Sequence, residues 1–205
     1  MTSSSPSRAW VAGGILLIAS TVIPMVSRAV VLPGLGVFDS VLFAAALGLF
    51  ALGRPSVTDR RALGTTALLA LGVWTVVVEI FFLVAGPEVA AGMGTTVGYV
   101  DEAVRAALAI VGVVAISRAG AVRRPWHLAP LWTLVAFVAP QLVLAVLAAS
   151  PATVDTAISV APLGSVVYIA APLFLGVLAI VLGVTPPRRG ASAEPVFSGR
   201  ADDPA

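Results

Sequence analysis

The chain has 205 residues, of which 59% are hydrophobic and only 11% are charged, and its mean hydropathy is +1.05. Soluble domains carry about a quarter charged residues, so this chain has too little polar material to cover a globular surface and must face lipid. The absence of cysteine excludes disulfides and thiolate metal sites, and a single histidine excludes a cluster of histidine ligands. A net charge of only +2 gives no argument for nucleic-acid binding.

After a short tail at residues 1–8, the chain alternates between long apolar segments and short connections. An apolar segment of about 17 to 25 residues is the length that crosses a bilayer as an α-helix. Continuous apolar runs also exclude the alternating pattern of a membrane β-barrel. We therefore predict a transmembrane domain at residues 9–184, with helical spans at about 9–31, 37–53, 62–85, 98–117, 128–149 and 160–184.

The connections carry the signals that separate these spans. Residues 32–36 form a turn rich in Pro and Gly, and residues 86–97 form a Gly-rich connection. Ser56 and Asp59 have the spacing of a capping box, which predicts that the third helix begins there. Residues 185–205 are rich in Pro, Gly, Ser and Ala and are predicted to be a disordered cytoplasmic tail.

The arginines predict the orientation of the chain. With six spans, ten of the twelve arginines fall on one side of the membrane, Arg28 falls on the other, and Arg105 lies within a span. This bias places both termini in the cytoplasm. The predicted fold is an all-α integral membrane protein, a six-helix transmembrane bundle of three antiparallel hairpins. The wealth of Ala, Gly, Val, Pro and Arg, without lysine, is typical of a bacterium with a GC-rich genome, so we expect the bacterial plasma membrane.

A second set of charges has no role in topology. The ionisable groups of several spans reach a similar depth, within roughly 5 Å, near the outer side of the membrane. Asp101 and Arg105 share a helix face at i, i+4 and can pair, whereas Glu102 points about 100° away and needs another partner. We hypothesise a polar cavity open to the outer side, suited to a cation or to proton coupling and lined by Arg28, Asp39, Glu79, Tyr99, Asp101, Glu102, Arg105 and Tyr168.

Two other interpretations of these charges stay open. Residues one turn from a helix end can reach the headgroup region, where charge costs little. Glu79 and Arg105 can instead form a structural ion pair between neighbouring helices. In the last hairpin, Pro140, Pro162 and Pro172 interrupt the helices, as happens at transporter sites, although proline is common in membrane helices. Gln141 is more typical of a hydrogen bond between helices than of a ligand site.

The sequence assigns no catalytic residue, no metal site and no cofactor, because none of the common catalytic or phosphate-binding motifs is present. Three functions remain open. We rank first an accessory or scaffold subunit that binds a membrane-protein partner or a second copy of itself within the lipid bilayer. The second is a small transporter or exporter that uses the outer polar cavity. The third, an intramembrane lipid-modifying enzyme, ranks last, so the sequence favours a protein that is not an enzyme.

Overall fold

The computed structural model describes residues 7–27, 34–54, 56–58, 61–119, 126–148 and 154–185, with the backbone alone at residues 27, 87–96, 127, 145, 148, 154 and 157. Within those ranges every regular element is helical. The α-helices are α1 (Arg8–Ser27), α2 (Leu35–Leu52), α3 (Ala62–Ala119), α4 (Ala129–Ala148) and α5 (Val154–Val184). A 3₁₀ turn at Trp126–Leu128 precedes α4.

Four segments of these helices are long and apolar enough to cross a membrane: Arg8–Val26, Leu35–Leu52, Ala62–Gly86 and Ile158–Val184. The shorter segment Ala129–Leu144 of α4 is apolar as well. The end of α3 is not among the four because residues 101–118 carry four charged side chains. The described part of the chain is thus all-helical, with helices of membrane-spanning length, as the sequence predicts.

Helix α3 is a hairpin of two helical arms. Gly86 separates residues 62–85, the first arm, from residues 87–119, the second arm. Its φ of 78° and ψ of 170° lie in a region that only glycine adopts without strain. Pro87 follows, and proline suits the first turn of a helix because it has no N–H to leave unpaired. The second arm therefore begins at residue 87, before the start at 98 that hydropathy predicts.

Three contacts show that the two arms run antiparallel. The indole N–H of Trp74 lies 2.8 Å from Asp101 Oδ1, Gly112 faces Leu68, and Gly64 faces Ala115. Low residue numbers in the first arm thus meet high numbers in the second. The chain reverses direction at a single glycine, which brings the charged part of the second arm against the first arm.

The helices pack in the spatial order α4, α5, α1, α2, α3, and α3 also contacts α4. Glycines allow the closest approaches. A Cβ added to Gly14 of α1 would lie 2.6 Å from the carbonyl oxygen of Gly176 in α5, and one added to Gly72 of α3 would lie 3.0 Å from Ala44 Cα in α2. Small residues let helix backbones approach closely in membranes, where burial of apolar surface drives association weakly.

The helices pack most tightly at the end where α1 and α4 begin and α2 and α5 end, which we call the packed end. At this end the main-chain N–H of Ser7 donates to the carbonyl of Gly183, and the hydroxyl of Ser7 donates to the carbonyl of Arg54. A cluster of buried side chains contains Trp10, Leu47, Ala51, Val57, Leu68, Leu71 and Ile116.

The connection between α2 and α3 is folded into the packed end. Thr58 is fully buried, and its Oγ1 lies 3.1 Å from Ser56 Oγ and 2.9 Å from Thr65 Oγ1. Ser56 donates its hydroxyl to the carbonyl of Ala51, back in α2. The expectation that α3 begins at Ser56 is therefore wrong. Its hydroxyl bonds to the preceding helix, and α3 begins at Ala62.

Candidate functional site

Asp101 lies at the centre of a polar cluster between the two arms of α3. Its Oδ1 accepts a hydrogen bond from Trp74 Nε1 and another from Arg105 Nε, each at 2.8 Å. The Asp101 and Arg105 side chains are only 18% and 33% exposed. The i, i+4 pairing predicted from the sequence is confirmed. Arg105, on the same arm, neutralises the carboxylate, and Trp74, on the opposite arm, donates a hydrogen bond to it. The cluster therefore joins the two arms.

The alternative ion pair between Glu79 and Arg105 is not formed, because Arg105 pairs with Asp101 instead. Glu79 is five residues beyond Trp74, which places the two side chains about 140° apart around the helix. Trp74 faces the second arm, while Glu79 faces α2. Trp74 was not among the predicted site residues, because its contact with Asp101 depends on the register of the hairpin.

Asp39 and Glu79 come together at the interface between α2 and the first arm. A Cβ added to Gly36 would lie 2.6 Å from Glu79 Oε2, so this carboxylate lies against the first turn of α2. Asp39 follows Gly36 by three residues on the same face, and its charge is repelled by that of Glu79. The unpaired N–H groups of a helix start favour negative charge, and this start has no side-chain cap.

One oxygen of this carboxylate pair has no partner within the described part of the chain. Asp39 Oδ1 is buried and accepts no hydrogen bond there. A buried acceptor without a donor costs free energy that water, a proton or a cation would recover. Among the described residues, no group of three or more His, Cys, Asp or Glu side chains converges as metal ligands would.

The remaining predicted site residues lie apart from these two clusters. Glu102 is exposed, Tyr99 is 75% exposed, and both lie near the middle of the second arm, not at the outer depth that the sequence predicts. Tyr168 is 56% exposed on α5, where its ring packs against Phe137 of α4 at 5.3 Å between centroids. Arg28 lies outside the described residues.

Tyr168 also lines a cavity of about 260 Å³ between α4 and α5, which is formed by Gln141, Leu144, Ala161, Gly164, Ser165, Tyr168 and Ile169. Antiparallel contacts such as Gly164 with Leu144 hold the two helices around it. None of the predicted charged residues belongs to this lining. The predicted site residues that the structure describes therefore do not meet in one cavity: Asp101 and Arg105 form one cluster, Asp39 and Glu79 form a second, and Tyr168 lines the cavity between α4 and α5.

The chain was compared with protein families, with curated proteins and with solved structures. No protein family matches the chain, and neither the curated proteins nor the solved structures that were compared with it gave a match.

Proposed function

We propose that the protein crosses the bacterial plasma membrane six times, with both termini in the cytoplasm, and acts as an accessory or scaffold subunit of a membrane complex. Four segments with the length and hydropathy of membrane spans support this topology. The second arm of α3 lies antiparallel to the first, and α4 lies antiparallel to α5, as two further crossings would. The arginine-rich connections at 54–61 and 118–124 fall on the same side in this arrangement.

The partner surface is proposed near the middle of the second arm, at the depth of the Asp101 cluster. Asp101 needs no partner from outside, because Trp74 and Arg105 satisfy it. Glu102, the next residue, is exposed, and no described residue lies close enough to form an ion pair with it. Tyr99, one turn earlier, adds an exposed ring beside it.

An outward-facing carboxylate is the observation that carries the proposal. An ionised group inside a membrane span faces a protein interior, water or an opposite charge, because hydrocarbon does not solvate it. A lysine or arginine on a partner helix would neutralise Glu102 and pack against Tyr99. The proposed partner is therefore a membrane protein that presents a cationic side chain at the depth of Glu102, inside one of its membrane-spanning helices.

Purification from native membranes tests this. Tagged wild-type protein, the Glu102→Gln variant and the control variant Asp155→Asn, which removes another exposed acid, are compared for co-purified protein. We expect a stoichiometric partner with the wild type and with the control. The amount of partner that co-purifies with Glu102→Gln should be at least about tenfold lower than with the wild type. Losing one member of a desolvated charge pair costs about 2 to 5 kcal/mol of binding free energy. Absence of a stoichiometric partner, or full retention by Glu102→Gln, would contradict the proposal.

Cation or proton transport is the second candidate, and the buried Asp39 Oδ1 without a hydrogen bond in the described chain favours it. A cation held between Asp39 and Glu79 would satisfy that oxygen and remove the repulsion between the two carboxylates. Thermal unfolding in nanodiscs with Na⁺, K⁺ or Ca²⁺ separates the two candidates. Transport predicts that one cation raises the unfolding temperature and that Asp39→Asn abolishes the rise. No response to any of the three cations, or to pH, leaves the scaffold as the better account.

A further inference from the structure

The cavity between α4 and α5 contains polar side chains that form no hydrogen bond with another described residue. Gln141 contributes an amide and Tyr168 a phenolic hydroxyl. Neither side chain forms a hydrogen bond with any other residue that the structure describes, although Tyr168 makes a ring contact with Phe137. Ser165, the third polar residue of the lining, bonds only weakly to the carbonyl of Ala161, at 3.4 Å.

Prolines add free acceptors beside these side chains. Pro172 lies within α5 and has no N–H, so the carbonyl of Tyr168, four residues earlier, loses its helical donor. Pro140 in α4 deprives the carbonyl of Ala136 of its donor in the same way. Polar groups left unsatisfied inside a bilayer cost several kcal/mol each, so membrane proteins supply them with partners. With α4 and α5 crossing the bilayer as proposed above, the cavity favours an occupant that can both donate and accept hydrogen bonds.

The surroundings of the cavity define the chemistry of that occupant. The lining carries no Asp, Glu, Lys or Arg, so a phosphate or ammonium group would find no counter-charge there. The residues next to the lining are exposed and apolar, as Leu142, Leu163 and Val166 show. On α5 the lining extends from residue 161 to residue 169, about 12 Å along the helix. A small uncharged head fits the polar groups, and acyl chains fit the apolar surface outside.

We propose that this cavity binds the head of an uncharged, hydroxyl-bearing lipid of the diacylglycerol class. The lipid hydroxyl donates to the Gln141 amide oxygen or to the free carbonyl of Tyr168 and accepts from the Tyr168 hydroxyl. The ester carbonyls meet the Gln141 NH₂ and Ser165, and the acyl chains run along Leu142 and Leu163. This site is independent of the partner contact proposed at Glu102, because the two lie on different helices.

Photo-crosslinking in nanodiscs tests the assignment. The intact protein is reconstituted in phosphatidylcholine with a trace of diacylglycerol that carries a photoactivatable acyl chain, and the crosslinked peptides are mapped by mass spectrometry. Phosphatidic acid with the same photoactivatable chain serves as the charged comparator. We expect diacylglycerol to label peptides of α4 and α5 about tenfold more than phosphatidic acid does. Unlabelled diacylglycerol should compete for the site.

Two variants connect the labelling to the polar groups. Gln141→Leu and Tyr168→Phe should each reduce labelling about 2- to 10-fold, the loss expected for one hydrogen bond. Tyr168→Phe keeps the ring that packs on Phe137, so it reports binding even if Gln141→Leu fails to fold. Ser20→Ala, which removes a hydroxyl from α1, should leave labelling unchanged. Equal labelling by both lipids, or labelling that neither variant changes, would overturn the proposal, because it would show that acyl chains contact α4 and α5 without a specific head-group site.

Discussion

Replacing Gly14 with leucine is expected to unfold the bundle or to lower its free energy of unfolding by about 3 kcal/mol. A Cβ at this position would lie 2.6 Å from the carbonyl oxygen of Gly176 and 2.8 Å from a side-chain carbon of Ile180. The first of these atoms is backbone, so it cannot turn away. The two helices would have to separate along their length. Because α5 also packs against α4, the displacement would spread across the bundle.

The milder change Gly14→Ala has a matched control in Gly48→Ala. A Cβ at Gly48 of α2 meets nothing within 4 Å, so the same substitution there should be neutral or stabilise the helix by up to about 1 kcal/mol. Gly14→Ala should instead destabilise the protein by about 1 to 3 kcal/mol. Equilibrium unfolding in mixed micelles, followed by circular dichroism, measures both variants. Equal stability of the two would show that α1 and α5 do not approach each other as described.

Asp101→Ala is expected to destabilise the hairpin of α3 by about 3 kcal/mol. The substitution leaves the Arg105 guanidinium without its carboxylate and the Trp74 indole N–H without its acceptor. Both groups lie between helices with limited access to solvent. Removing one member of a buried pair costs more than the pair contributes, because the remaining charge stays desolvated.

Glu102→Ala is the matched control for Asp101→Ala, since it removes a carboxylate one residue away that is exposed. It should change the free energy of unfolding by no more than about 0.5 kcal/mol. The double variant Asp101→Leu/Arg105→Leu should recover part of the stability lost by Asp101→Ala, because an apolar pair leaves no unpaired charge. The same unfolding measurement reports all three. A stable Asp101→Ala protein would argue against a structural role for the pair.

Local and compositional features were predictable from the sequence. The apolar composition predicts helices of spanning length, and α2 at Leu35–Leu52 lies close to the predicted span at 37–53. The Asp101–Arg105 pair follows from i, i+4 spacing alone, because it needs only one helix to form. These predictions succeed because they depend on neighbours in the sequence.

Features that depend on tertiary contacts were not predictable. The Trp74–Asp101 hydrogen bond requires the register of the two arms, which hydropathy does not encode. Glu79 was equally free to face Arg105 or α2, and only the packing of α2 decides it. Helix α5 begins at Val154, before the predicted start at 160, because hydropathy marks the apolar segment and not the helix. Asp155 in its first turn favours this earlier start through the helix dipole.

The packing glycines were missed for a related reason. Spaced pairs of small residues within one segment are a pattern that a sequence can reveal, whereas Gly14 and Gly176 meet from opposite ends of the chain. Both lie in apolar helices, and glycine is a common residue in such helices of membrane proteins. Nothing local distinguishes these two from Gly48, whose neighbourhood is open.

The central claim is that the chain crosses the membrane six times with both termini in the cytoplasm. Because the chain contains no cysteine, single cysteines introduced at Ala119, Thr156 and Thr185 can be probed in intact cells with a membrane-impermeant maleimide. Six crossings predict that Thr156→Cys is labelled, whereas Ala119→Cys and Thr185→Cys react only after the membrane is opened. Labelling of Ala119→Cys in intact cells would contradict the account, because it would place the end of the second arm outside the cell.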